Sequence, residues 1–193
     1  MKRINIIGTT GSGKSTLALT LSEKLGYPYV QMDQLFWKPD WQETSDEELF
    51  PKLTEVLSEE VWILDGNYNR TNQLKWKRAD TIVWIDLGYF RTFFQLFKRT
   101  LIRAVSQQEL WPGTGNKESL YKSFMSRDSI LVWFFRYYHI NQKRYSKLMQ
   151  STENSHIEMI HLKSPSQIRK FIKQAHHQSL ESTSGPLDDF GKA

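Results

Sequence analysis

Nine residues near the amino terminus, Gly8-Thr9-Thr10-Gly11-Ser12-Gly13-Lys14-Ser15-Thr16, follow the spacing Gly-x-x-x-x-Gly-Lys-Ser. Each residue type has a physical task. The glycines let a loop fold back so that successive backbone N–H groups turn inward, toward phosphate oxygens. A helix starting at the loop's end adds its positive N-terminal pole. Lys14 supplies a mobile cation for β- and γ-phosphates. Ser15 supplies a hydroxyl for Mg²⁺, an ion that keeps water and phosphate oxygens as its other ligands. The expected cofactors are therefore ATP and Mg²⁺, held by Gly8 through Thr16.

Such a loop works only if a strand delivers it and a helix receives it. Residues 2–7 are a short β-branched run ending in glycine, as in a buried parallel strand. Beyond the loop, Leu17, Ala18, Leu21 and Leu25 fall on one helical face, and Gly26 reads as the helix C-cap. Further strands are predicted over 27–31, 61–64, 81–85 and 157–162. Helices are predicted over 45–57, 89–105, about 120–149 and 166–176. Pro28 makes the second strand start late or lie at an edge. In the 89–105 helix, Phe90, Phe93, Phe94, Phe97 and Leu101 are expected in the core. Strands alternating with helices predict a parallel sheet covered on both faces, with ligands beyond the carboxyl ends of the strands. Asp33, Asp65 and Asp86 all stand at such ends.

Composition narrows the chemistry. The chain has 193 residues, no cysteine and a net charge of +5, which excludes disulfide scaffolds, Cys-based metal centres and thiol nucleophiles. Its length fits one domain over 1–177, with a Ser/Gly/Pro-rich tail over 178–193 expected to be flexible. The opening apolar run is too short for a signal peptide or membrane span, so a cytoplasmic protein without membrane contact is expected. The five histidines show no metal-ligand spacing apart from the adjacent tail pair. Residues 75–147 hold fourteen Lys/Arg against five Asp/Glu. That local excess suits a polyanion, either nucleotide phosphates or nucleic acid, or else a solvated basic helix face.

No Asn-Lys-x-Asp base-reading motif is present, which argues against a guanine-specific GTPase. Three blocks carry a resemblance: Gly8–Thr16, then Met32-Asp33-Gln34-Leu35-Phe36-Trp37-Lys38-Pro39-Asp40-Trp41, then Ile63-Leu64-Asp65-Gly66-Asn67-Tyr68. On these residues the chain resembles the adenylate-kinase-like and shikimate-kinase-like P-loop kinases over about residues 1–170. It looks most like the group labelled DNA-topology-modulation-related. The resemblance implies a three-layer α/β/α P-loop fold with a five-stranded parallel sheet of order 2-3-1-4-5. It also implies an acceptor-binding segment over 34–58 and a helical lid insert over about 88–150.

Residue by residue, the resemblance gives Asp65 the Walker B part, holding Mg²⁺ through water. It places Asp33 between the metal and an acceptor hydroxyl, where it can orient that hydroxyl and take its proton. Gly66, Asn67, Tyr68 and Arg70 fall where such kinases hold the acceptor, although the run Asp-Gly-Asn-Tyr-Asn-Arg departs from the AMP-binding pattern. Asn67 and Tyr68 offer hydrogen bonds rather than charge. Trp37 and Trp41 either stack on an acceptor ring or cover a small core beneath their loop. Arg99 and Arg103, four apart, share a helix face that can meet phosphates or adenine. Arg127 and Arg136 are the candidates for neutralising transition-state charge. The expected activity is Mg–ATP-dependent transfer of a γ-phosphoryl group to a small acceptor: a nucleotide, a nucleoside or a sugar-like molecule. The expected state is a monomer or homodimer. The alternative is an ATP-binding regulator associated with DNA, without small-molecule turnover.

Overall fold

The structure, a computed structural model, describes residues 1–119, 126 and 129–183, with side chains as far as residue 177. Five strands form one sheet: β1 (Arg3–Gly8), β2 (Tyr29–Gln31), β3 (Trp62–Asp65), β4 (Thr81–Ile85) and β5 (Glu158–Leu162). All pair in parallel in the order β2-β3-β1-β4-β5. This is the predicted order, and β2 is the predicted late-starting edge strand.

Period-two alternation explains the burial on both faces. Ile7, Trp62, Leu64, Ile82 and Trp84 point to one side, where they join Met32, Leu53, Leu57 and Tyr145. Ile4, Ile6, Ile63, Val83 and Ile85 point to the other, against Leu17, Ala18, Leu21 and Phe171. The covering helices are α1 (Lys14–Leu25), α2 (Met32–Phe36), α3 (Asp46–Ser58), α4 (Asn72–Arg78), α5 (Tyr89–Ser106), α6 (Ile130–Met149) and α7 (Pro165–Thr183). Gly26 ends α1 in a left-handed conformation, its N–H bonded to the Ser22 carbonyl.

Three expectations need correction. Helix α6 begins at Ile130, not near 120. The Ser129 hydroxyl accepts the Val132 N–H and starts the helix there. Helix α7 spans Pro165–Thr183, longer than the helix predicted over 166–176. Most of the aromatic face of α5 is not its core face: Phe90 is 75% exposed and Phe94 65%, with Phe97 and Leu101 also exposed, while Phe93 packs against Leu96 and Phe134 as expected. The buried stripe is Thr92, Leu96, Thr100 and Ala104, spaced by four. These mostly small side chains let the helix backbone come close to the phosphate loop, and bulky rings on that face would hold it off. A Cβ built on Gly11 would lie 2.7 Å from Leu96 Cβ and 2.9 Å from the Thr92 carbonyl, and Gly11 has φ +81°. Only glycine meets both conditions.

Candidate active site

The parallel pairing of β1 with β3 sets Ile6 beside Asp65. The carboxylate that ends β3 therefore lies next to the strand that feeds the phosphate loop. Glycine at position 13, with φ +97° and nothing within 4 Å of a built Cβ, turns the chain into α1 and leaves the space before the helix open. Lys14 opens α1, and its ammonium rests 3.4 Å from the Thr9 carbonyl inside the loop. Burial lowers its pKa, opposed by the negative charges of Asp65 and Asp33 and reinforced by Arg99. So the Lys14 ammonium feels two carboxylates and a guanidinium that come from three other stretches of chain.

Asp65 is buried, 4% exposed. Tyr29 on β2 donates its hydroxyl to Oδ2 at 3.2 Å, while Oδ1 is buried without a partner among the described residues. Burial raises the carboxyl pKa, and Lys14 and a hydrogen bond with Ser15 oppose the rise. Burial and the neighbouring Asp65 together push the Tyr29 phenol up, which keeps it a donor. Among the described residues the hydroxyls of Thr9 and Ser12 in the loop are likewise buried without partners. Buried polar atoms are normally satisfied. These orphans, with the ammonium, the Ser15 hydroxyl and the open space before α1, are the donor and acceptor set that a nucleotide triphosphate and a hard divalent cation require. The residues fit both groups.

On the opposite flank, Asp33 lies in the first turn of α2. Tyr68 donates its hydroxyl to Asp33 Oδ1 at 2.6 Å. Burial and this carboxylate raise the Tyr68 pKa, so the phenol stays protonated. Tyr68 packs on Phe36, 4.7 Å between centroids, and the Arg70 guanidinium sits 5.0 Å over the same ring. Arg70 also pairs with Asp46 at 3.1 Å. Gly66 is forced by close approach, since a Cβ there would lie 2.5 Å from Met32 Cβ.

The Asn67 side chain is held by the phosphate loop. Its Oδ1 accepts the Gly8 N–H at 3.1 Å and its Nδ2 donates to the Gly8 carbonyl at 2.6 Å. Both ends of the amide are spent on the first glycine of the phosphate loop. Trp37 and Trp41 pack with Trp111, at 6.4 and 5.7 Å between centroids. Asn116 fastens the same region, accepting from the Trp41 N–H and donating to the Lys38 carbonyl. The two indoles therefore sit in a small aromatic core, as the packing alternative expects.

Helix α5 lies over the loop. Arg99 donates to the Thr10 hydroxyl at 3.3 Å. Burial and the neighbouring Arg103 lower its pKa, while Glu118, Asp33 and Asp65 hold it up. Arg103 pairs with Glu118 at 3.4 Å. Arg136 is exposed on α6 and makes no hydrogen bond or ion pair among the described residues, so the structure does not bring it to the loop. Arg127 lies outside the described residues. Sequence reasoning missed Trp111, Asn116, Tyr29 and Lys75. The first three act from distant stretches, and no local motif marks them.

No family model matches the chain. Two curated shikimate kinases are similar over part of their length. The one from Persephonella marina (strain DSM 14350 / EX-H1) is 30% identical over 101 residues, 45% of this chain and 62% of that protein. The one from Sulfurihydrogenibium sp. (strain YO3AOP1) is 31% identical over 105 residues, 46% of this chain and 62% of that protein. The chain thus spans 62% of the length of the curated relatives it matches. Among solved structures, a gluconokinase from Sinorhizobium meliloti 1021 superposes with a TM-score of 0.50 at 14% identity, covering 94% of this chain and 93% of that one. At that identity the likeness is one of architecture: this chain has the doubly covered five-stranded parallel fold of the P-loop kinases.

Proposed function

We propose that the protein is a Mg²⁺–ATP-dependent phosphotransferase whose acceptor is a small molecule bearing a hydroxyl. The observation that carries this reading is the glycine-rich loop at the end of β1, with Lys14 turned into it and the Asp65 carboxylate on the neighbouring strand. The partial similarity to shikimate kinases supports it. Ser15 and Asp65 would hold Mg²⁺, Asp65 through water, and the bound ion would neutralise charge between the phosphates.

The chain's own residues supply position and charge. The loop amides and the α1 N-terminus fix the phosphates, and Lys14 neutralises them from within the loop. Arg99, held over Thr10, adds a second cation from α5. Asp33 orients the acceptor hydroxyl and receives its proton, with one carboxylate oxygen fixed by Tyr68. Tyr68, Phe36 and Arg70 form the wall on the acceptor side, a surface of ring faces, one phenol and one guanidinium. That surface suits a sugar-like or nucleoside acceptor, and the resemblance to the DNA-topology-modulation-related group runs through the same residues.

Calorimetric titration with Mg–ATP should show binding that Lys14→Ala abolishes. A screen of nucleosides, nucleotides, sugars and shikimate should then reveal acceptor-dependent ADP release. Absence of nucleotide binding at millimolar concentration overturns the proposal. Tight, salt-sensitive DNA binding without phosphotransfer would favour the regulatory alternative.

A further inference from the structure

Lys75 is an unexpected residue to find at the heart of this fold. It stands on α4 with 0% exposure, among the largest fully buried side chains of the described residues. Its ammonium donates to three backbone carbonyls: Gly66 at 3.5 Å, Asn67 at 3.3 Å and Tyr68 at 3.4 Å. Each of the three distances is long for a hydrogen bond. No carboxylate forms an ion pair with it among the described residues. A buried charge without a counter-charge is costly and persists only for a reason.

The three carbonyls belong to the segment that joins both halves of the candidate site. Gly66 follows Asp65. The Asn67 side chain clamps Gly8 of the phosphate loop from both sides. The Tyr68 side chain fixes Asp33. Lys75 meets the backbone of these residues rather than their side chains, and so gathers the segment from which both braces project.

Resting on the phosphotransferase reading above, we propose that Lys75 is a positioning residue whose ammonium locks segment 66–68, and through it the phosphate loop and Asp33, into one geometry. An ammonium has three N–H donors for three carbonyls, whereas a neutral amine has two and leaves one carbonyl unmatched. Burial brings the Lys75 pKa down to about 7, so this lock changes state near neutral pH. Helix α3, which packs on α4, carries Lys52 and Glu55, and α4 itself carries Lys77 and Arg78; Asp65 and Arg70 flank the 66–68 segment in sequence. Desolvation is nevertheless the single cause of the shift.

Two trends then run in opposite directions. The lysine binds protons less readily folded than unfolded. Global stability therefore rises with pH above about 7, because burying the neutral amine costs less. Over the same interval the lock loosens, and nucleotide should bind about fivefold more weakly, the loss of about one hydrogen bond.

The test uses the full chain labelled with ¹⁵N and with ¹³C-lysine. The Lys75 side-chain resonance should titrate with a midpoint near 7, and the Gly8 and Asn67 amide resonances should follow it. In Lys75→Met those amides should stop responding in that range, and ADP affinity should lose its pH dependence. Lys75→Arg, permanently charged, should hold the tight state at alkaline pH. If either variant fails to fold, the wild-type titration alone decides. Gly8 and Asn67 amides that stay flat through the lysine's midpoint overturn the proposal, even if nucleotide binds normally. A protein that shows the coupled titration but never binds nucleotide overturns the phosphotransferase reading instead, so the two failures are distinct.

Discussion

Replacing Asn67 with alanine removes two hydrogen bonds at once, to the N–H and the carbonyl of Gly8. Each is worth about 1 kcal/mol net in a part-buried setting, so Asn67→Ala should cost about 2 kcal/mol. In a chain of 193 residues that is a fall in melting temperature of about 4–8 °C, at roughly 2–4 °C per kcal/mol. Gly8 is also where the phosphate loop leaves β1, so losing its brace lets the loop sample more states. Mg–ATP should then bind about tenfold more weakly, the equivalent of about 1.4 kcal/mol. Asn67→Asp is the sharper variant. It can still accept the Gly8 N–H, but it sets a carboxylate oxygen against the Gly8 carbonyl and adds charge beside the phosphates. It should bind nucleotide worse than alanine does. Thermal melting and isothermal titration calorimetry measure both effects. The reasoning fails if Asn67→Ala melts and binds Mg–ATP like the wild type. It fails equally if only acceptor-dependent turnover is lost, which would mark Asn67 as an acceptor contact rather than a brace.

Other outcomes follow from the same geometry. In Asp65→Asn the buried carboxyl, already raised in pKa by desolvation, no longer has to ionise. The free protein should melt no lower than the wild type, yet the gain in ATP affinity on adding Mg²⁺ should vanish in calorimetry. Gly11→Ala meets both a positive φ and a backbone carbonyl 2.9 Å from the new Cβ. It should cost about 2–3 kcal/mol in denaturant unfolding and weaken nucleotide binding with it. Trp111→Ala should cost about 3–5 kcal/mol, since the indole is 6% exposed and packs on Trp37 and Trp41. A surface-like loss below about 0.5 kcal/mol would contradict that packing.

The sequence by itself determined the phosphate loop, because the chemistry there is done by contiguous backbone and a Gly-x-x-x-x-Gly-Lys-Ser run dictates that backbone locally. It also determined the alternation of strands and helices, since apolar periodicity is a local pattern and parallel pairing follows from it. Asp33 and Asp65 were legible as carboxylates at strand ends. The roles of Asn67 and Lys75 were not, because their partners are Gly8, 59 positions away from Asn67, and carbonyls that carry no side-chain signature. The placement of α5 was misread from its phenylalanines. Its core face was chosen by the need to bring a helix within contact of Gly11, and only tertiary packing imposes that need. Trp37 and Trp41 stood between two readings until Trp111 and Asn116 arrived from a segment some 75 residues on. Local chemistry fixed which groups were present, and the closing of distant segments over one another decided which of those groups reach the site and which support it.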